Sequence, residues 1–130
     1  MICLDSTAII DYLKGRREAK NIIEKNLDFL ATTEINVLEV FFGVYSKQTV
    51  SKREETSAAE FFNSLNVLQT KRGAGKLAAQ IIADLIKKGA EIEQNDALIA
   101  SIMIKNGCGT IITKNKKHFS KIKGIKVISY

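Results

Sequence analysis

Three carboxylates occupy places where chemistry is possible: Asp5, Glu39 and Asp96. Asp5 ends the apolar run Ile2-Cys3-Leu4 and is followed by the hydroxyl residues Ser6 and Thr7. Taken alone, any of the three could simply cap the helix that begins there. Glu39 lies within VLEVFFG, where apolar neighbours leave little polar face. Unless it sits at an exposed helix edge, its charge needs a partner or a cation, because burying it unpaired is costly. Glu34 stands near the start of the same helical pattern, where an acid complements the macrodipole, and reads as structural. Asp96 opens NDALIAS, and both Asn95 and Asp96 are favoured capping residues. The small side chains of Ala97, Ala100 and Ser101 predict close packing against a sheet. If the three acids converge, their mutual repulsion calls for a cation. Donors that are all oxygen suit magnesium or manganese better than zinc. His118 is the only histidine, and Cys3 and Cys108 are the only cysteines. A zinc cluster therefore lacks ligands, and a serine or cysteine nucleophile lacks an obvious base. The two cysteines read as small buried hydrophobes of a reducing compartment rather than a disulfide framework.

The elements that must position these residues follow from periodicity and punctuation. Ile2–Leu4 is a short strand, Thr7–Lys14 a helix with Ile9, Ile10 and Leu13 on one side, and Arg17–Asn26 a second helix with Ile22 and Ile23 inward. Asp28–Thr32 reads as a strand, and Glu34–Tyr45 as a helix with Val37, Leu38, Phe41, Phe42 and Tyr45 spaced for one face. Ser51 is a plausible N-cap for a helix through Ser64, with Glu54 completing a capping box. Val67–Gln69 is a weak strand. Ala74–Lys88 is the clearest amphipathic helix, with Leu77, Ile81, Ile82 and Leu85 at helical spacing and Gly89 as the stop. Asp96–Lys105 is the last long helix, and Gly109–Thr113 and Lys126–Ser129 are further strands. Strands separated by helices imply an α/β fold whose central, mainly parallel sheet is covered on both faces. Ligand sites in such sheets lie beyond the carboxyl ends of the strands. Attention therefore falls on Asp5, Ser6 and Thr7, and on Thr113, Lys114 and Asn115.

Composition narrows the class. The 130 residues fit one domain, 45% hydrophobic and 26% charged, which excludes overall disorder. There is no proline, repeat or low-complexity tract to mark a boundary, so residues 1–130 read as a single domain. No apolar run is long enough to span a bilayer and no secretory leader is evident, so a cytoplasmic protein is expected. The net charge of +6 is unevenly placed. No acid follows Asp96, whereas Lys105, Lys114, Lys116, Lys117, Lys121, Lys123 and Lys126 do, a pattern equally suited to a polyanion and to a merely solvated edge.

Four segments, in order and spanning essentially the whole chain, resemble the PIN-domain family. ICLDSTAIIDYL looks like its opening, TTEINVLEVFFG the segment of its second acid, NDALIASIMIKNG the third, and GTIITKNKKHFSKIKGIKVI the close. The size is most similar to the VapC-like toxin ribonucleases of toxin–antitoxin pairs. The resemblance implies a three-layer α/β/α fold and an endoribonuclease using magnesium or manganese held by Asp5, Glu39 and Asp96. It implies accessory hydrogen-bonding roles for Ser6 and Thr113, a homodimer, and a small antitoxin that covers the active-site groove. The family commonly carries aspartate at a fourth position, where this chain has Asn115. An amide can ligate through its carbonyl but brings no charge, which puts a tightly held second metal in doubt. Lys114, Lys116 and Lys117 could hold the RNA backbone or form a solvated loop. His118 could protonate a leaving group, but is expected to pack beside Phe119.

Two other readings stay open. One is the same fold without efficient chemistry, binding RNA or a protein; Asn115 favours it and the three acids oppose it. The other is a phosphoaspartate receiver or a phosphatase on a similar sheet. The receiver reading lacks an acceptor aspartate after the middle strand Val67–Gln69, and the phosphatase reading has Thr7 where it needs a second aspartate.

Overall fold

Five short strands, all parallel, form the centre of the structure, a computed structural model that describes all 130 residues. In chain order the elements are β1 (Ile2–Leu4), α1 (Ser6–Leu13), α2 (Arg17–Glu24), β2 (Leu30–Thr33), α3 (Glu34–Tyr45), α4 (Lys52–Asn63), β3 (Asn66–Leu68), α5 (Ala74–Lys87), α6 (Gln94–Lys105), β4 (Thr110–Ile112), α7 (Lys116–Phe119) and β5 (Lys126–Ile128). The sheet order is β3-β2-β1-β4-β5. β1 pairs with β2 on one side and β4 on the other, so the connections diverge at its carboxyl end. That divergence is the switch point at which ligands bind in open parallel sheets.

Alternation along the strands builds two cores, because successive side chains point to opposite faces. Cys3, Ala31 and Ile111 face one layer, where they pack with Ala74 and Leu85 of α5, with Ile99, Ile102 and Met103 of α6, and with Phe119 of α7. Leu4, Leu30 and Ile112 face the other, with Ala8 and Ile9 of α1, Ile23 of α2, Val40 of α3 and Phe62 of α4. The result is three layers, α/β/α, as expected. Cys3 and Cys108 are both buried and unbridged, in keeping with their reading as small core residues.

Differences from the expected elements have local causes. The segment read as the strand Asp28–Thr32 begins as a 3₁₀ turn, Leu27–Phe29, closed by the Phe29 amide on the Asn26 carbonyl, and the strand starts only at Leu30. α6 starts two residues earlier than expected, with Glu93 rather than Asn95 or Asp96 at its cap. The largest departure concerns α3. Its core-facing residues are Asn36, Val40 and Val44, whereas Leu38, Phe42 and Tyr45 are exposed and Val37 and Phe41 half-buried. The helix is apolar almost all round, so spacing alone could not choose its inward face. The short helix α7 had no sequence signal, since a single turn carries no periodicity.

Candidate active site

Asp5 leaves the end of β1, its amide donating to the Ile112 carbonyl of β4 at 3.0 Å, and caps α1 through a bond from the Ser6 amide. The capping role and a site role therefore coincide in one residue. Its carboxylate is buried and accepts four hydrogen bonds. The Ser6 amide at 2.9 Å and the Asn36 side-chain amide at 3.2 Å donate to Oδ1. The Thr113 hydroxyl at 2.7 Å and the Thr7 hydroxyl at 3.3 Å donate to Oδ2. Thr113 follows β4 directly, so the two strand ends flanking the switch point are joined through one carboxylate.

Asn36 escaped the sequence reading. It is fully buried in the first turn of α3. The Thr33 hydroxyl donates to its Oδ1 at 2.7 Å, and its own amide donates back to Thr33 Oγ1 at 3.3 Å. That reciprocal cap fixes the orientation of the side chain and aims Nδ2 at Asp5. The available signal was a Thr-x-x-Asn spacing at the helix start, an asparagine version of the capping box.

Glu39, one turn further along α3, is half-buried, and its Oε1 accepts from the Ser6 hydroxyl at 3.1 Å. Burial pushes its carboxyl above the ordinary range; the Ser6 bond opposes this, and the charges of Asp5 and Asp96 add to it. Asp96, in the first turn of α6, is buried and likewise raised, first by burial and then by Asp5, with His118 pulling the other way. The three acids thus share one electrostatic neighbourhood. His118 does not pack beside Phe119 as expected. Phe119 is fully buried, while the exposed imidazole turns back so that its Nδ1 lies 2.7 Å from Asp96 Oδ2.

The remaining candidates are less closely held. The Asn115 amide donates to Thr113 Oγ1 at 3.0 Å, but the side chain makes no hydrogen bond to any of the three acids. Lys114 is exposed, and its Nζ lies 3.7 Å from Asp11 of α1, whose carboxylate also accepts from the Tyr130 hydroxyl. Lys116 and Lys117 are exposed on α7 without ion partners.

The donor set suits an oxygen-preferring dication: three carboxylates, two of them buried, with Glu39 and Asp96 raised first by burial and then by Asp5's charge, to which Asp96 adds at Glu39. As the side chains stand, no three acidic, imidazole or thiol groups are disposed to hold one ion. Protein donors take the lone pairs instead, filling all those of Asp5, so a cation that uses Asp5 must displace a donor, and the long Thr7 bond is the weakest held.

Comparison with known proteins bears on the family and the fold. The PIN-domain family model matches residues 2–125. The tRNA(fMet)-specific endonuclease VapC of Salmonella typhimurium is 26% identical over 125 residues, covering 95% of this chain and 93% of that protein. Among solved structures, VapBC2 from Rickettsia felis, bound to a promoter DNA fragment, superposes with a TM-score of 0.86 at 22% identity, covering 100% of this chain and 99% of that one. VapBC-1 from nontypeable Haemophilus influenzae gives 0.81 at 24%, covering 99% and 98%. At these identities the structural likeness speaks for the fold, and the family match, which spans nearly the whole chain, identifies the protein as a member of the PIN-domain family.

Proposed function

We propose that this chain is a metal-dependent endoribonuclease acting as the toxin of a toxin–antitoxin pair. The observation that carries the reading is the meeting of Asp5, Glu39 and Asp96 at the sheet's switch point, where the charge of Asp5 adds to burial in raising the carboxyls of Glu39 and Asp96. The similarity to a VapC endonuclease named for tRNA(fMet) supports RNA as the substrate class, and the VapBC complexes support a small antitoxin partner. Asp5, Glu39 and Asp96 would hold magnesium or manganese, which supplies positive charge for the scissile phosphate and acidity for the attacking water. The protein's own groups do the rest. Ser6 orients Glu39, Thr113 and Asn36 orient Asp5, and His118 holds Asp96. Lys116 and Lys117, with Lys114, hold the RNA backbone; Asn115 completes the site as a neutral accessory residue. The exposed apolar side chains of Leu38, Phe42 and Tyr45 on α3 support an assembly, in keeping with a homodimer. No helix is long and apolar enough to cross a membrane, which fits a cytoplasmic enzyme.

The test is cleavage of total RNA with magnesium or manganese by the wild type, Asp5→Asn and Asp96→Asn, with metal affinity measured in parallel by calorimetry. Cleavage that needs metal, and is lost with metal affinity in both folded variants, is the expected result. Folded wild type, free of inhibitor, that cleaves with neither metal would overturn it. The neutral Asn115 and the carboxylates' engagement with protein donors favour the second reading, an RNA- or protein-binding module on the same fold. RNA binding indifferent to Asp5→Asn, without cleavage, is its signature.

A further inference from the structure

A groove of about 530 Å³ lies beside the candidate active site, lined by Glu91, Ile92 and Glu93 on one wall and by Lys117, His118, Ser120 and Lys121 on the other. His118 joins it to the carboxylates, since its Nδ1 contacts Asp96. Glu93 sits at the cap position of α6, three residues before Asp96, and its side chain makes no capping bond. None of Glu91, Glu93, Lys117 or Lys121 forms an ion pair, so opposed charges face the groove unneutralised by one another. Ile92 is half-buried against the core beneath and gives the groove a fixed apolar patch.

We infer that this groove is a subsite for one unpaired RNA base next to the scissile phosphate, and that it selects guanine; the inference rests on the nuclease reading above. The volume falls within the range of small-ligand sites. Lys117 and Lys121 belong to the lysine-rich, acid-free segment after Asp96, which suits a phosphate backbone. A phosphate is repelled by Glu91 and Glu93, so the acidic wall fits the part of a nucleotide that is uncharged and donates hydrogen bonds. Guanine presents N1–H and the N2 amine side by side, two donors for one carboxylate. Adenine and cytosine present a single exocyclic amine each. Uracil flanks its N3–H with two carbonyl oxygens, which a carboxylate repels. Ile92 offers an apolar surface for the base's face. A protein segment would gain from the apolar patch but would not call for a lysine rim and an acidic wall in this order.

The experiment is a set of anisotropy titrations with labelled pentanucleotides UUXUU, X being each of the four bases, in chelator so that nothing is cut. The expected result is about tenfold tighter binding of UUGUU than of UUUUU, the discrimination of one bidentate base contact. The Glu91→Ala/Glu93→Ala double variant, both positions being exposed, should melt like the wild type and bind the two alike. Lys117→Ala/Lys121→Ala should weaken all four in similar proportion. Equal binding of the four bases by wild type, a guanine preference that survives loss of both acids, or no binding at all would overturn the proposal; indifference to the base would give the groove to a protein segment. Metal-dependent cleavage without base preference would remove the subsite and leave the nuclease, whereas selective binding without cleavage would do the reverse.

Discussion

Asp5 has about four lone-pair directions and four protein donors filling them, which makes it the most constrained acid of the site. Two of those donors, Asn36 and Thr113, come from other elements, so Asp5 locks α3 and the end of β4 to the start of α1. Asn36→Ala should therefore cost about 1–3 kcal/mol, because it leaves buried polar groups on Asp5 and Thr33 short of partners. Urea unfolding reads this directly, and an unchanged midpoint would mean that water replaces the amide. Glu39 and Asp96 work against stability instead. Burial raises both carboxyls, so the folded chain holds these protons more tightly than the unfolded one. Their contribution is present below the ordinary carboxylate pKa and is lost as pH rises through the folded values. In chelator at about pH 7.5, Glu39→Gln should raise Tm by about 2–5 °C, with the gain shrinking as the pH falls toward the carboxylate range. A lower Tm for the variant at neutral pH would contradict the electrostatic account. Asp5, Glu39 and Asp96 were legible in the sequence because carboxylates at strand ends and in apolar helices are conspicuous. Asn36 was not, because its role depends on a contact between residues 31 positions apart.

At the scale of elements, the legible features were those with local chemistry. α3 has the expected bounds, and α5 stops at Gly89, whose φ of +74° a side chain would strain. Gly89→Ala should cost about 1 kcal/mol or slightly more. Ser51 caps α4 as expected, its hydroxyl accepting from the Glu54 amide at 3.2 Å. The reciprocal half of the expected box is missing, because the Glu54 carboxylate pairs with Lys47 instead. Ser51→Ala should then cost about 1 kcal/mol, while Glu54→Ala should cost less, since it removes only an exposed ion pair. Chemical denaturation of the three variants ranks them, and a larger loss for Glu54→Ala than for Ser51→Ala would show that the ion pair outweighs the cap. What could not be read locally was which way α3 faces. Leu38, Phe42 and Tyr45 are as apolar as the residues that are buried, and the choice is made by Asn36 reaching Asp5 and by Val40 and Val44 meeting the core.

Charge is the property of the whole molecule that the sequence states most directly and the fold makes specific. Up to Asp96 the chain carries thirteen basic and fourteen acidic residues, so the excess of +6 comes from the seven lysines beyond it. The strand order brings that segment to the switch point, because β4 lies against β1 and its following loop reaches the Asp5 carboxylate through Thr113. Neither the order nor the contact could be read from strand patterns, yet together they turn a basic tail of sequence into a basic border of the candidate site. If Lys114, Lys116 and Lys117 each hold one phosphate of single-stranded RNA, log affinity should fall against log salt with a slope of about −2. The lysines are not equivalent, however. Lys114 lies 3.7 Å from Asp11, which already offsets part of its charge, whereas Lys116 and Lys117 have no ion partner. Replacing Lys116 or Lys117 by alanine should therefore make the slope shallower by about 0.7, and replacing Lys114 should change it less. Filter binding of a uridine oligomer across a salt series, in chelator, measures all three. A slope unchanged by Lys116→Ala and Lys117→Ala would place the phosphates elsewhere, and an effect of Lys114→Ala equal to theirs would show that RNA draws Lys114 away from Asp11.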